Sequence, residues 1–188
     1  KVPVIESYGM TEASHQMTSN LLPPKKRKAG SVGVSTGIKL KIVDENFRSL
    51  KKNNIGEILI KGKSILKKYI AKEKVNLSSF KSNWFRTGDL GYMDKDNYLY
   101  IVGRIKEIIN RGGEKISPKE VDDVFTKHPK ISKVITFSVK HPKLGEDIAL
   151  AVVLKKNVIC KPNELKEYAK NKLANFKIPR NILFVKEI

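Results

Sequence analysis

Gly103-Arg104-Ile105-Lys106-Glu107-Ile108-Ile109-Asn110-Arg111-Gly112-Gly113-Glu114-Lys115-Ile116-Ser117-Pro118 is the stretch at which the chain changes its grammar. Upstream of it, short apolar runs at Lys39–Val43, Glu57–Ile60 and Tyr98–Val102 are separated by turn clusters at Lys51–Asn54 and Asp94–Asn97. That rhythm predicts antiparallel β-structure of barrel or sandwich type. Downstream, Ser117 as N-cap, Pro118 at the first helical position and Glu120 completing a capping box open an amphipathic helix. Val121, Val124 and Phe125 form its apolar face. Strands are expected at Ile131–Val139, Ile148–Leu154 and Ile182–Val185. A second helix is expected over Asn163–Leu173, with Leu165, Tyr168, Ala169 and Leu173 on one stripe. Interspersed helices and strands make a small domain of α+β class. The chain therefore reads as α+β overall, β-rich and barrel-like over residues 1–104 and a small α+β domain over 105–188.

Towards the start, Val2–Ile5 predicts a strand that feeds the glycine-containing loop Tyr8-Gly9-Met10-Thr11-Glu12. Leu21–Gly30, with Pro23-Pro24 and Lys25-Lys26-Arg27-Lys28, predicts an exposed connection. No internal repeat or low-complexity segment is present.

Composition narrows the classes. With 40% hydrophobic and 30% charged residues over 188 positions, the chain fits a globular protein and not a disordered one. No apolar run approaches the roughly 20 residues that cross a bilayer, so no transmembrane segment is expected. Nor does a charged region followed by an apolar stretch suggest a secretory leader. Cys160 is the single cysteine, which excludes an intramolecular disulfide and a cysteine metal cluster. These features favour a reducing, intracellular setting and leave open whether it is cytoplasmic or peroxisomal. The net charge of +19, from 38 basic and 19 acidic residues, would suit a polyanion. Yet the basic residues are mostly scattered lysines, with no accompanying nucleic-acid motif. A lysine-rich surface explains them, and attraction of anionic ligands follows from it. A polyanion- or nucleic-acid-binding module, with Lys25–Lys28 as its patch, is the alternative reading.

Four short motifs, in one order, carry a resemblance. Tyr8-Gly9-Met10-Thr11-Glu12, Gly56-Glu57-Ile58-Leu59-Ile60-Lys61-Gly62, Phe85-Arg86-Thr87-Gly88-Asp89-Leu90, and Gly103–Glu107 followed by Arg111–Ile116 resemble segments of the adenylate-forming superfamily. Thr11–Met17 and Ile109–Pro118 look most like its acyl-CoA synthetase branch, closest to the oxalyl-CoA synthetase-like group. The resemblance implies an ATP-dependent ligase that makes an acyl-AMP and then transfers the acyl group to coenzyme A. It implies ATP/AMP, Mg²⁺ and coenzyme A as ligands and a carboxylic acid as substrate, and it leaves the acid and the oligomeric state open. An adenylating enzyme with a different acyl acceptor is the variant reading. Residues 1–104 would be the end of a large AMP-binding domain, and 105–188 a mobile C-terminal lid. The family's phosphate loop and adenylation lysine would fall outside the chain, so the 188 residues alone are expected to be inactive.

The same resemblance implies roles residue by residue. Tyr8 and Gly9 would line the adenine, Thr11 would donate to the α-phosphate, and Glu12 would offer a hard oxygen to Mg²⁺. Asp89 would accept from both ribose hydroxyls, with Arg104 adding a ribose or phosphate contact. Lys106 would be the hinge. Gly112 and Gly113 would let a backbone loop approach pantetheine. His15 would face the acid substrate, where a positive imidazole would favour a second carboxylate. His128 and His141, each before a proline, read as loop residues, and Trp84 reads as packing.

Overall fold

The computed structural model describes residues 2, 4–70 and 73–188. The chain divides into two compact units, Lys1–Ile105 and Lys106–Ile188.

In the first unit, β1 (Ser7–Tyr8), β2 (Thr18–Ser19) and β3 (Val34–Ser35) form a small antiparallel sheet. The expected strand at Val2–Ile5 is displaced to Ser7–Tyr8, because Thr18 and Ser19 supply the pairing partners there. Val2, Val4 and Ile5 lie outside any strand, and Pro3 lies outside the described residues. The second sheet contains β4 (Lys39–Val43), β5 (Gly56–Lys61), β6 (Phe80–Lys81), β7 (Trp84–Met93) and β8 (Leu99–Arg104), all antiparallel. Helix α1 (Glu73–Ser79) precedes β6 and buries none of its own side chains. In β4, alternation turns Leu40 and Ile42 inward, while β5 is buried from Gly56 to Ile60 because both its edges are paired. Ile42, Ile58, Ile60, Phe85 and Leu99 form the centre of the core, and Ala13 and Met17 plug into it from the first loop.

The ten-residue β7 is the organising strand, and its period of two buries Phe85, Thr87, Asp89 and Gly91. Neither it nor α1 stood out from the sequence, since Thr-Gly-Asp interrupts the apolar pattern. The Lys25–Lys28 run is only partly a surface patch. Lys28 is half-buried, pairs with Asp94 and with Asp96 (2.7 Å), and lies over the Tyr98 ring. The Arg27 guanidinium donates to the Val4 carbonyl at 3.0 Å. The Lys28 contacts tie the connection to the turn after β7, and the Arg27 contact ties it to the segment before β1.

In the second unit, β9 (Ile109–Arg111) and β10 (Glu114–Ile116) form a hairpin whose two turn residues, Gly112 and Gly113, both have positive φ, 59° and 93°. Helix α2 (Pro118–Phe125) follows, then the long hairpin of β11 (Ile131–His141) and β12 (Gly145–Leu154). Helix α3 (Pro162–Lys170) leads to β13 (Asn181–Phe184), which pairs parallel with β12. Val121 and Phe125 of α2 and Leu165 and Ala169 of α3 pack on Ile148, Leu150 and Val152, with the Cys160 thiol among them. Burial first, then Glu164, pushes that thiol above its ordinary pKa, so it behaves as a small hydrophobe.

The structure departs from two local expectations. Ser117 makes no side-chain cap to α2, and the Glu120 carboxylate that would have closed the box takes the Lys177 ammonium instead, at 2.7 Å on each oxygen. Helix α3 stops at Lys170 and not at Leu173, although Leu173 stays in the core. His128 is in a loop but is buried, with its ring edge-on to Tyr168. His141 is the last residue of β11 and not a loop residue, paired with Gly145, and its ring accepts the backbone N–H of Leu144 at 3.1 Å at the β11–β12 turn. Among the described residues no helix is long and apolar enough to cross a membrane.

Candidate functional site

The site of the first unit is built on the loop that joins β1 to β2. Ala13 and Met17 are the buried anchors, and the chain makes a 3-10 turn at Thr11–Ala13 that ends on the first of them. The N–H groups of Ala13 and His15 both bond to the Met10 carbonyl (3.0 and 3.1 Å), and Met17 N–H closes the loop on the Tyr8 carbonyl at 2.9 Å. Ser14 and His15 are left-handed, with φ of 53° and 71°, a conformation that costs about 1–3 kcal/mol per residue and concentrates at functional sites. Gly9 explains how so tight a loop closes. A Cβ there would sit 1.2 Å from the His15 carbonyl oxygen, so only glycine admits the contact. With its apolar residues turned inward, the loop presents Thr11 exposed and Glu12 half-buried.

Asp89 reaches the site through β7. Thr87 donates its hydroxyl to the Ile58 carbonyl (2.8 Å) and accepts the Asp89 N–H (3.1 Å), while Gly88 between them takes φ 73°. The pairing of β7 with β5 is irregular opposite this point, and with β8 just beyond it. Asp89 is 5% exposed. Its Oδ2 accepts the Tyr8 hydroxyl, and its Oδ1 accepts Arg104 Nε at 2.8 Å. Arg104 is the register partner of Asp89 across β7–β8, which is why a residue at the end of β8 can reach it. Burial, and then the Asp89 carboxylate, push the Tyr8 hydroxyl far above its ordinary pKa and keep it a donor. Each carboxylate oxygen retains a second lone pair for a ligand.

Glu12 is also held. Its Oε1 accepts the Tyr69 hydroxyl at 2.8 Å, and its main-chain carbonyl accepts Leu66 N–H at 2.7 Å. Burial, then Glu12, raise the Tyr69 pKa to about 12. No group of three His, Cys, Asp or Glu that could hold a metal occurs among the described residues. A carboxylate with only one oxygen engaged by the described residues suits Mg²⁺, which takes few protein ligands and is completed by phosphate and water.

The structure thus brings Tyr8, Asp89 and Arg104 into direct contact, with Gly9, Thr11, Glu12 and His15 on the same loop. Lys106, Gly112 and Gly113 belong to the second unit, where Lys106 is exposed and the glycines form the β9–β10 turn. Two cavities of the first unit, about 900 and 500 Å³, open beside residues 20–29 and are lined by none of Tyr8, Glu12, Asp89 and Arg104. Sequence reasoning passed over Thr87 and Tyr69. Thr87 is legible in hindsight from Thr-Gly-Asp in a strand, but Tyr69 lies in a lysine-rich stretch that carries no signal. Arg86 is not at the site. It forks onto Glu57 from the other face of the sheet, at 2.9–3.1 Å.

Comparison with known proteins matches this architecture. Residues 1–70 match the AMP-binding enzyme model, and residues 120–188 match the model for the C-terminal domain of AMP-binding enzymes. The oxalate–CoA ligase of Saccharomyces cerevisiae is 46% identical over 188 residues, covering 99% of this chain and 35% of that protein. ATP-bound MatB from Rhodopseudomonas palustris superposes with a TM-score of 0.92 at 31% identity, over 98% of this chain and 37% of that one. O-succinylbenzoate coenzyme A synthetase (MenE) from Bacillus subtilis, in complex with ATP and magnesium ion, gives 0.86 at 34% identity, over 99% and 38%. The chain spans little more than a third of the length of these relatives. From its first loop to its last strand, it belongs to the family of AMP-binding enzymes.

Proposed function

We propose that this chain is the C-terminal part of an ATP-dependent acid–thiol ligase that activates a carboxylic acid as its acyl-AMP and passes the acyl group to coenzyme A. The observation that carries the reading is Asp89, a buried carboxylate set on a strand irregularity and flanked by Tyr8 and Arg104. A short, immobile carboxylate with spare lone pairs is what two vicinal ribose hydroxyls need. In this reading Tyr8 lays its ring beside adenine and Gly9 lets the loop come close. Thr11 donates to the α-phosphate, and Arg104 adds a ribose or phosphate contact. Glu12 would ligate Mg²⁺, which when bound neutralises phosphate charge. These groups act by orientation and by fixed charge in a partly desolvated site.

The substrate acid oxygen attacks the α-phosphorus, the bond to the β-phosphate bridging oxygen breaks, and pyrophosphate leaves. The coenzyme A sulfur then attacks the acyl carbon, AMP leaves, and the thiol proton is released. Lys106 is the proposed hinge of a lid formed by residues 105–188, and the Gly112-Gly113 turn its pantetheine-facing loop. His15 is proposed to face the acid. A small dicarboxylic acid of the oxalate class is the proposed substrate, supported by the resemblance to oxalate–CoA ligases, and the proposed setting is cytoplasmic or peroxisomal.

The test is pyrophosphate release by the whole ligase that carries this chain. It should be measured against acids from oxalate to long-chain fatty acids and cinnamates, with and without coenzyme A. Release that depends on a single small diacid, with thioester formed when coenzyme A is present, is expected. Release independent of any acid, or none at all from protein that binds no AMP, refutes the proposal.

A further inference from the structure

We infer that Tyr69 is a positioning residue for Glu12, holding its carboxylate in the one rotamer that turns Oε2 towards a metal–nucleotide. The inference rests on the reading of Glu12 as the Mg²⁺ ligand. Tyr69 is remote in sequence and lies in the irregular stretch between β5 and α1, yet its hydroxyl donates to Glu12 Oε1 at 2.8 Å. The other oxygen, Oε2, accepts no hydrogen bond from the described residues.

The contact is fixed from both sides. On the Glu12 side, Leu66 N–H bonds to the Glu12 carbonyl (2.7 Å) and Ser14 Oγ donates to the Ser64 carbonyl (3.2 Å), so the stretch that carries Tyr69 is fastened to the turn that carries Glu12. On the Tyr69 side, the Asn76 amide grips its backbone twice. Oδ1 accepts the Tyr69 N–H at 2.7 Å, and Nδ2 donates to the Tyr69 carbonyl at 2.9 Å. The ring itself is half-buried against the core of the first unit. Backbone, ring and hydroxyl of Tyr69 are therefore all determined.

Such a hold has a chemical purpose. A glutamate on a surface turn samples many rotamers, and ordering it on ligand binding costs free energy. Mg²⁺ demands near-octahedral geometry at short distance, so a carboxylate that arrives from the wrong angle loses the ion. A neutral donor on one oxygen selects the rotamer without competing for the cation. Partners that orient a metal ligand in this way are typically worth 10–100-fold in metal affinity or activity.

The whole ligase that carries this chain tests the inference, with Mn²⁺ as the probe. In the presence of ATP, the Mn²⁺ dissociation constant read by electron paramagnetic resonance is expected to rise about tenfold or more in Tyr69→Phe. The Mg²⁺ concentration for half-maximal rate should rise in parallel, while kcat at saturating Mg²⁺ and metal-free AMP affinity stay unchanged. Phenylalanine keeps the ring in the core, so thermal stability should be close to that of the unsubstituted protein. Asn76→Ala, which loosens the clamp without touching the hydroxyl, should give a smaller rise in the same direction, and it carries the test if Tyr69→Phe does not fold. Unchanged Mn²⁺ affinity in Tyr69→Phe, or a loss of stability and AMP affinity with metal affinity intact, overturns the inference. Glu12→Gln separates the two layers. If it abolishes Mn²⁺ binding while Tyr69→Phe does nothing, only the role of Tyr69 falls. If Glu12→Gln binds Mn²⁺ normally, the reading of Glu12 falls and takes the inference with it.

Discussion

Arg86 stands within the motif that delivers Asp89, yet its side chain is structural, and its removal should appear as lost stability. The Glu57 side chain is 9% exposed and that of Arg86 is 33% exposed. Nε of Arg86 reaches both Glu57 oxygens at 3.1 Å and Nη2 reaches Oε2 at 2.9 Å, while Nη1 touches the Ser78 carbonyl of α1 at 3.3 Å. The guanidinium also lies 5.0 Å from the centre of the Phe47 ring. Breaking a fully buried pair by deleting one partner costs about 3–5 kcal/mol, because the other charge is left uncompensated. Exposed pairs are worth less than about 1 kcal/mol. Since Glu57 is nearly buried and Arg86 one-third exposed, Arg86→Ala should cost about 2–3 kcal/mol, including loss of the contact with Phe47. Trp84, the single tryptophan, sits in β7 two residues away, so its fluorescence in a urea titration follows this unit directly. With a slope of about 1–3 kcal/mol/M, the midpoint should fall by about 0.7–3 M. Arg86→Lys should restore little, because an ammonium cannot fork onto a carboxylate. Glu57→Met with Arg86→Met, which removes both charges, should recover most of the loss. A midpoint unmoved by Arg86→Ala, or fully restored by lysine, would refute the argument.

Other outcomes follow from the same geometry. Gly9→Ala drives a methyl into the His15 carbonyl, 1.2 Å away. It should destabilise the first unit by about 3 kcal/mol or more, seen as a lower melting temperature. Asp89→Asn removes the charge that faces Arg104, and AMP affinity of the whole ligase should fall about 10–100-fold by calorimetry, the worth of one charge-assisted bond. In the second unit, burial alone would raise the pKa of Asp147, but the Ile148 N–H and the Arg111 guanidinium (2.6 Å) outweigh it and hold the carboxyl below its ordinary value. A lowered folded-state pKa stabilises at pH above the unfolded value and is lost as pH falls through the folded one. Stability should therefore drop on acidification below about pH 4, and Asp147→Asn should flatten that limb in a pH series of urea melts.

The order of elements and the division of labour along the chain are local properties, and they are legible in the residues. Alternation in Lys39–Val43 and the apolar run at Glu57–Ile60 locate β4 and β5, because a paired, half- or fully buried backbone needs those side chains. Gly112-Gly113 announces a hairpin turn, because two consecutive positive φ angles suit glycine better than any other residue. Pro118 and the Val121, Phe125 stripe place α2. Motif residues such as Tyr8, Glu12, Asp89 and Arg104 can be picked out by type and order alone.

What those residues touch was decided only by tertiary structure. Nothing local distinguishes Arg86, which braces Glu57, from Arg104, which meets Asp89; the strand pleat sends one to each face. Glu120 fits a capping box by spacing, but Lys177, brought near by the path after α3, competes for its carboxylate and wins with a full charge. Tyr69 looks like one aromatic residue among lysines until the fold lays its stretch against Glu12. Periodicity encodes which face of an element is apolar, because burial acts on every residue of that element at once. Polar partners far apart in sequence meet only when separate elements are packed, and packing is a property of the whole chain.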